Sequence, residues 1–223
     1  NIRAKRPNPG LAAQHLAALR CVARLCNAEM EGTQLGSTRV VFSPGRIEGG
    51  TFDVDIGTAG AITLVLQAAV LPACFAAKPV ILRLVGGTDV AWSPPIDYFK
   101  HVLAPIVRRF CAKLSVTVTK RGYYPAGGGI VEIKITPGMV RASEGAWTRF
   151  MPIIAAKVPA LILLKRGTLK GVRGVAHASI SLSSKKPAEA MAEAARFILA
   201  SLRVPIDIDV EYSAAPSAGG GIT

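Results

Sequence analysis

The chain contains an internal repeat that limits the folds it can adopt. A predicted helix and two predicted strands end on Ser-Pro-Gly over residues 9–45, and the same order ends on Thr-Pro-Gly over 94–138. The second copy is preceded by a strand over 51–56, a helix over 58–77 and a strand over 79–85, giving a β-α-β-α-β-β unit. Repeats of this size indicate stacked, pseudo-symmetric units. Hairpins combined with helix-linked strands predict a mixed sheet with helices on one face.

We therefore predict an α+β fold in four parts. Residues 1–45 are the C-terminal part of a first β-α-β-α-β-β unit, and 46–138 are a complete second unit. Residues 139–180 are a connection and the start of a third unit, and 181–223 are part of a smaller inserted α/β domain. Because the first unit lacks its front part and a new strand starts at the last residues, both ends are expected to be cuts through a larger protein.

Local signals place the individual elements. A strand is predicted at residues 1–3, and Asn8-Pro9 is typical of a helix start, with the helix running over 10–27. The apolar run over 61–77 is short and contains a glutamine, so we expect a helix buried on all sides rather than a membrane span. Further strands are predicted at 161–164 and 168–180.

The charge of the chain indicates a polyanionic partner. Lys and Arg number 27 against 14 Asp and Glu, a net charge of +13. Such an excess attracts RNA, DNA, nucleotides or an anionic membrane surface, although a merely solvated basic surface is the alternative. The four cysteines Cys21, Cys26, Cys74 and Cys111 lie in apolar helical patterns without metal-binding spacing. They predict buried thiols of a reducing compartment, in the cytoplasm or the nucleus.

A candidate phosphate site lies at the N-terminal end. Arg3 and Arg6 precede a helix start, where fixed cations and free backbone amides favour an anion. Gln14 and His15 follow one helical turn later and would extend the site. His15 could equally be a histidine satisfied within its own helix. The Gly57–Gly60 turn is a second possible anion site, but short glycine turns are common.

The loop Arg121-Gly-Tyr-Tyr-Pro-Ala-Gly-Gly-Gly129 holds more glycine than a hairpin needs. The glycines either relieve positive φ angles or let a ligand approach the bare backbone. No phosphate-binding P-loop, nucleophile elbow or zinc-binding helix motif occurs, and His101 and His177 have no evident partners. The residues alone thus predict a basic, repeated α+β protein that binds phosphates.

Several stretches, taken in order, resemble the RNA 3′-terminal phosphate cyclase family. They are Ile2-Arg-Ala-Lys-Arg6 with Pro9-Gly-Leu, Gln14-His-Leu, Leu35-Gly-Ser37, Gly57-Thr-Ala-Gly60 with Leu64-Val-Leu-Gln67, Gly86-Gly-Thr-Asp89, Pro94-Pro-Ile-Asp97 and Arg121–Gly129. Beyond residue 139 the similarity thins to Arg166-Gly167 and Gly171-Val-Arg-Gly174. The resemblance implies tandem units of the translation initiation factor C-terminal-domain type, with a smaller inserted domain of thioredoxin-like shape.

The activity implied by this resemblance is ATP-dependent conversion of an RNA 3′-phosphate to a 2′,3′-cyclic phosphate. In the family a histidine carries AMP, which passes to the RNA 3′-phosphate before the neighbouring 2′-hydroxyl displaces it. Mg²⁺ or Mn²⁺ offsets the charge of the transferring phosphate. The expected partners are RNA 3′-phosphate ends and a nucleotide, with no membrane, while the oligomeric state stays open.

Individual residues carry the resemblance. Arg3 and Arg6 match arginines that contact phosphates, and Gln14 and His15 match polar residues of the same cleft. Lys5 replaces a glycine that is usual between the two arginines.

The nucleotide side of the cleft is matched by a second group. Gln67 and Pro94 match nucleotide-contacting positions, and Tyr98 stands where the family has an aromatic near the adenine. The turn with Tyr124, Gly127, Gly128 and Gly129 is expected at the same cleft.

The resemblance also implies what this chain lacks. The family's nucleophilic histidine belongs beyond Thr223 and its metal-binding acid before Asn1, so neither a catalytic nor a metal-binding residue is expected here. The chain alone is accordingly predicted to be inactive. Two alternatives are a non-catalytic, cyclase-like protein of ribosome biogenesis and, more distantly, an enolpyruvyl-type transferase built from similar repeats.

Overall fold

The protein is a mixed α+β structure, known here from a computed structural model that describes residues 2–139, 147–165 and 167–223. Asn1, Arg166 and 140–146, the last within the predicted connection, lie outside the described residues. The strands are β1 Glu29–Glu31, β2 Val41–Ser43, β3 Gly50–Asp55, β4 Val80–Gly86, β5 Cys111–Lys120, β6 Gly129–Pro137, β7 Val172–Ser179, β8 Ile206–Ser213 and β9 Gly220–Ile222. The helices are α1 Ala13–Cys26, α2 Ile62–Ala73, α3 over 96–110, α4 Trp147–Lys157 and α5 Pro187–Leu199.

A four-stranded sheet organises the residues from 50 to 137. Its strand order is β3-β4-β6-β5, with β3 parallel to β4 and the other pairs antiparallel. Helices α1, α2 and α3 share one core with one face of this sheet. The other face is polar, and there Arg83 pairs with Asp53 and Glu132. The expectation of a mixed sheet with helices on one face is confirmed for this part of the chain.

Helix α3 is not a regular α-helix. It passes from an α-helical turn through a π-helical segment, Phe99–Leu103, and closes with a 3₁₀ turn, Arg108–Phe110. Pro105 has no N–H group for the bond to the carbonyl of residue 101, which accounts for the wider turn before it. Phe99 and Ile96 nevertheless stay buried against the sheet.

The N-terminal predictions were wrong in detail. Residues 2–5 form a turn rather than a strand, and α1 begins at Ala13 rather than after Asn8-Pro9. The cause is Gly10, whose φ of +87° interrupts a helix and whose Cβ position lies 2.1 Å from the Gly36 carbonyl oxygen.

The apolar run forms α2, as predicted, but the helix is shorter and not buried on all sides. It ends at Ala73 instead of 77, one residue after Pro72. Gln67 and Leu71 stay exposed because α2 packs between the sheet and α1, which leaves one stripe uncovered. Across the described residues, no helix combines the length and the apolar character needed to cross a membrane.

The C-terminal part forms a separate small sheet. Its order is β8-β7-β9, with β7 parallel to β8 and antiparallel to β9, and α5 packs on it through small alanines. Residues 161–164, all described, form no strand, and their side chains are exposed. The predicted domain boundaries stay predictions. One of them lies between residues 180 and 181, and strands β7 and β8, which pair with each other, lie on opposite sides of it.

All four cysteines are free thiols, and the predicted burial is confirmed for three of them. Cys21, Cys26 and Cys74 are buried and Cys111 is half-buried. Burial raises the pKa of Cys21 to about 11, so this thiol stays protonated and chemically quiet near neutral pH.

Candidate functional site

The basic N-terminal segment is fastened to the rest of the fold by backbone and side-chain bonds. The Ile2 amide donates to the Thr38 carbonyl and the Gly10 amide donates to the Ile2 carbonyl. The Arg3 guanidinium donates from Nη1 to the Gly10 carbonyl at 3.0 Å. These contacts hold the segment at the N-terminal end of α1, where the sequence predicted an anion site.

Arg3 and Arg6 line one open cavity of about 410 Å³, which we call the arginine cavity. Gln14 and His15 from α1 line the same cavity, as does Trp92 from the loop after β4. The structure thus brings together the four residues predicted from the sequence to bind phosphate or RNA. Their role in binding stays a prediction.

The ring of His15 has a defined hydrogen-bonding state. Its Nδ1 accepts a bond from the Ala12 amide at 3.1 Å, in the manner of a residue that closes a helix start. Burial, and next the charge of Arg3, lower its pKa, which favours the neutral imidazole. Since Nδ1 is an acceptor, the proton of the neutral ring lies on Nε2. His15 therefore carries a donor into the site and is not prepared as a nucleophile.

Gln14 joins the arginine cavity to a second one. Its Oε1 accepts a bond from the Ala61 amide at 3.2 Å, which ties α1 to the start of α2. Gln14 and Trp92 also line a neighbouring cavity of about 450 Å³ together with Leu64, Ser93 and Tyr124. We call this space the aromatic cavity.

The predicted nucleotide contacts do not all lie together. Gln67 is exposed on α2, one turn beyond Thr63, whose hydroxyl donates to the Pro94 carbonyl at 2.8 Å. Gln67 and Pro94 line neither the arginine nor the aromatic cavity. Tyr98 lines a different cavity of about 630 Å³, with His101 and residues of the C-terminal sheet.

The glycine-rich loop packs against protein rather than a free space. Gly127 has a φ of +69°, and a Cβ there would lie 2.8 Å from both the Thr58 carbonyl oxygen and the Ala59 Cα. A Cβ on Gly128 would meet the Pro216 ring at 2.7 Å. The sequence offered two explanations for these glycines: positive φ angles, or close approach of a ligand to the backbone. The structure shows positive φ angles and a close approach, but the approaching atoms belong to the protein itself. Tyr124 is exposed, as are Pro125 and Ala126 next to it.

A buried ion cluster lies beneath this loop, centred on Arg121. The Arg121 side chain is 2% exposed and contacts Asp89 at 3.1 Å, Asp97 at 2.7 Å and Glu211 at 2.9 Å. Asp89 lies in the loop after β4 and Asp97 in the first turn of α3, whereas Glu211 lies on β8. The guanidinium thus joins the C-terminal sheet to the rest of the fold, and its partners keep its pKa well above the usual value despite burial.

His177 extends the cluster, contrary to the expectation that it has no partner. Its Nδ1 lies 2.9 Å from the Tyr123 hydroxyl, and its Nε2 lies 3.4 Å from Asp89 Oδ1. Burial alone would raise the pKa of Asp89, but His177 and Arg121 outweigh it and lower that pKa. The contact between His177 and Tyr123 could not be predicted from the sequence, because β7 and the loop after β5 are far apart along the chain.

The same cluster does not fit a divalent metal ion. Oxygen and nitrogen atoms of Asp89, Asp97 and His177 lie within 4.8 Å of one another. However, Nη1 of Arg121 already holds Oδ2 of both aspartates. A divalent ion among these groups would lie beside a buried, permanently charged guanidinium, which is strongly unfavourable at low dielectric.

Sequence comparison decides the family. The sequence model described as RNA 3′-terminal phosphate cyclase matches residues 1–151, and the model of that family's insert domain matches 164–223. The chain belongs to the RNA 3′-terminal phosphate cyclase family. The arginine cavity lies within the first match, and β7 to β9 lie within the insert match.

Curated relatives agree with this assignment. A protein of Archaeoglobus fulgidus named RNA 3′-terminal phosphate cyclase is 40% identical over all of this chain and 61% of its own length. A protein of the same name from Pyrococcus furiosus is 41% identical over 100% of this chain and 59% of its own length. One from Methanopyrus kandleri is 46% identical over 79% of this chain and 46% of its own length. The chain spans about three-fifths of the relatives that it matches over its full length.

Reasoning from sequence missed two parts of the site. Asp89, Asp97 and Arg121 all lie in stretches that carried the resemblance, yet no role followed from them. The available signals were a charged residue in the turn after a strand, for Asp89 and Arg121, and a charged residue in the first turn of a helix, for Asp97. Trp92 was also missed, and its signal was a large aromatic in a loop flanked by glycine and proline.

Proposed function

We propose that the full-length protein is an RNA 3′-terminal phosphate cyclase, and that this chain holds the phosphorylated RNA end. The observation that supports it best is the arginine cavity, where Arg3, Arg6, Gln14 and His15 lie together. The proposed reaction is the ATP-dependent conversion of an RNA 3′-phosphate to a 2′,3′-cyclic phosphate, through an enzyme-histidine adenylate and an RNA adenylate.

In this proposal the residues of the chain bind and orient the phosphate. The guanidinium of Arg6 presents a planar fork of donors that matches phosphate oxygens. His15, kept neutral beside Arg3, donates from Nε2 without adding a charge that would be repelled by the arginines. Arg3 is partly used in holding the Gly10 carbonyl, so Arg6 is the more available of the two.

The remaining expectations belong to the same proposal. ATP would be contacted by Gln67, Pro94 and Tyr98, and Mg²⁺ or Mn²⁺ would offset phosphate charge. Since the described acidic cluster does not fit a divalent ion, the proposal assigns no metal ligand to this chain. We further propose that the β-α-β-α-β-β order over 50–137 is one of several tandem units, and that β7 to β9 belong to a thioredoxin-like insert.

The function is tested with the full-length protein, ATP, magnesium and a short RNA that ends in a 3′-phosphate. We expect acid-labile AMP on a histidine and a 2′,3′-cyclic end as the product. Changing both Arg3 and Arg6 to Ala should weaken RNA binding and lower the slope of log affinity against log salt by about one for each phosphate that the protein no longer neutralises.

The matched control removes a charge from the same segment but from outside the cavity. Lys5→Ala and Arg6→Ala each remove one positive charge, and Lys5 does not line the arginine cavity. Only Arg6→Ala should lower cyclisation and the salt slope. A folded protein that forms no adenylate would contradict the enzyme and favour the non-catalytic branch of the family. The same assay on the present chain tests its predicted inactivity.

A further inference from the structure

Trp92 is the most unusual exposed residue of the described structure. Its side chain is fully exposed, and its φ of +67° lies in the left-handed region that bulky residues avoid. A large exposed aromatic forgoes the free energy of burial. Its left-handed backbone conformation costs further free energy, and backbone strain of this kind is concentrated where proteins clamp ligands. The proposed phosphate contacts leave this residue without a role.

The position of Trp92 between two cavities indicates what it contacts. It lines the arginine cavity with Arg3 and Arg6, and it lines the aromatic cavity with Tyr124. A ligand that fills both spaces therefore passes the indole ring. Tyr124 adds a second exposed aromatic ring, 76% exposed, on the aromatic side. One cavity thus offers cations and the other offers ring faces.

A phosphate joined to an aromatic ring matches this arrangement. Single-stranded nucleic acid is bound by basic side chains that take the phosphates and aromatic side chains that stack on the bases. We propose that Trp92 forms a stacking platform for a base at the 3′ end of the RNA whose terminal phosphate lies in the arginine cavity. This inference rests on the proposed function, because that function places the RNA phosphate at Arg3 and Arg6.

The experiment measures RNA and ATP binding by the full-length protein carrying Trp92→Ala or Trp92→Phe. Trp92→Ala should weaken binding of a 3′-phosphorylated RNA by about 5- to 150-fold, the usual range when one stacked ring is removed. Trp92→Phe keeps a ring and should retain most of the affinity. Because the side chain is exposed and all three residues share the same backbone strain, neither variant should unfold the protein.

Two controls separate stacking from other effects. Phe197→Ala removes another highly exposed aromatic, on α5, and should leave RNA binding unchanged. Stacking involves no charge, so Trp92→Ala should leave the salt slope unchanged, in contrast to Arg6→Ala. The weakening caused by Trp92→Ala should disappear when the terminal nucleotides of the RNA are abasic.

The outcomes are distinguishable from failure of the proposed function. If the wild-type protein cyclises RNA but Trp92→Ala binds it equally well, the inference is overturned and the function stands. If Trp92→Ala weakens ATP binding and spares RNA binding, the base on Trp92 belongs to ATP and the inference is again overturned. If the wild-type protein neither prefers nor cyclises phosphorylated RNA, the proposed function fails first.

Discussion

Arg121 shows why a buried charge is tolerated in this fold. Its guanidinium can form several directed bonds, and three carboxylates take them: Asp89, Asp97 and Glu211. The free-energy cost of desolvating such a group is large, so the arrangement holds only while the partners remain. Removing the arginine leaves Asp97 buried without its ion-pair partner and leaves Asp89 with only His177 and Thr88.

We therefore expect Arg121→Met to destabilise the protein by about 3–5 kcal/mol, the usual range when one partner of a buried ion pair is removed. Denaturant unfolding followed by circular dichroism measures the change. The matched control is Arg83→Met, because Arg83 pairs with Asp53 and Glu132 on the solvent face of the same sheet. That variant should scarcely move the unfolding midpoint. Equal losses of stability in the two variants would show that burial of the cluster does not matter.

Single residues were predictable from the sequence only where their signal is local. Arg3, Arg6, Gln14 and His15 lie within 13 positions of one another, and the structure places them at one cavity. His177 meets Tyr123 across 54 positions, and Arg121 meets Glu211 across 90. Such contacts depend on how two sheets dock, and neither spacing nor residue type reports that.

Elements with a clear period were predicted well, and their ends were not. Strands β3 and β4 and helix α2 all lie where periodicity placed them. The predicted start of α1 was wrong because a tertiary contact, the approach of Gly10 to Gly36, overrides the favourable Asn8-Pro9 helix start. The predicted strand at 161–164 failed because apolar β-forming residues make no strand without a neighbour to pair with.

The turn at Gly127 gives an element-level prediction. Gly57 and Gly127 have nearly the same positive φ, +72° and +69°, but only Gly127 faces close neighbours, the backbone of Thr58 and Ala59. Gly57→Ala should cost roughly 1–2 kcal/mol of stability, the penalty for a left-handed alanine. Gly127→Ala should cost more, because the added methyl group also displaces a backbone segment.

Thermal and denaturant unfolding of the two variants gives the difference directly. Gly57→Ala carries only the penalty for the positive φ angle, whereas Gly127→Ala carries that penalty and the close approach. The difference in stability between the two variants therefore measures the cost of the close approach. If the two alanine variants were equally stable, the turn would have room for a side chain and the glycine would serve the backbone angle alone.

Among the described residues, the four-stranded sheet and the C-terminal sheet have separate apolar cores and are joined by polar contacts. The larger core includes residues from α1 to β6, whereas the smaller one contains only residues from β7, α5 and β8. Arg121 with Glu211, Tyr123 with His177, and the Ala126 amide with the Ser217 hydroxyl cross between them. Docking of the C-terminal sheet should therefore respond to pH more than the cores do.

The direction of that response follows from the carboxylates. The hydrogen bond from Arg121 lowers the pKa of Glu211, and His177 and Arg121 lower that of Asp89 in spite of its burial. A carboxyl whose pKa is lower in the folded state binds fewer protons there than in the unfolded chain. Its stabilising contribution is therefore complete above the unfolded pKa, about 4, and is lost as the pH falls through the folded value.

We expect the free energy of unfolding to fall as the pH is lowered below about 4, and Glu211→Gln to flatten this fall. Denaturant unfolding at a series of acidic pH values gives the slope for each protein. Glu29→Gln, at an exposed position on β1, is the control and should keep the wild-type slope. Because Glu211 is partly exposed, its share of the slope should also shrink in high salt. If Glu211→Gln and the wild-type protein had the same slope, the ion cluster would not govern the acid stability of the docked sheets.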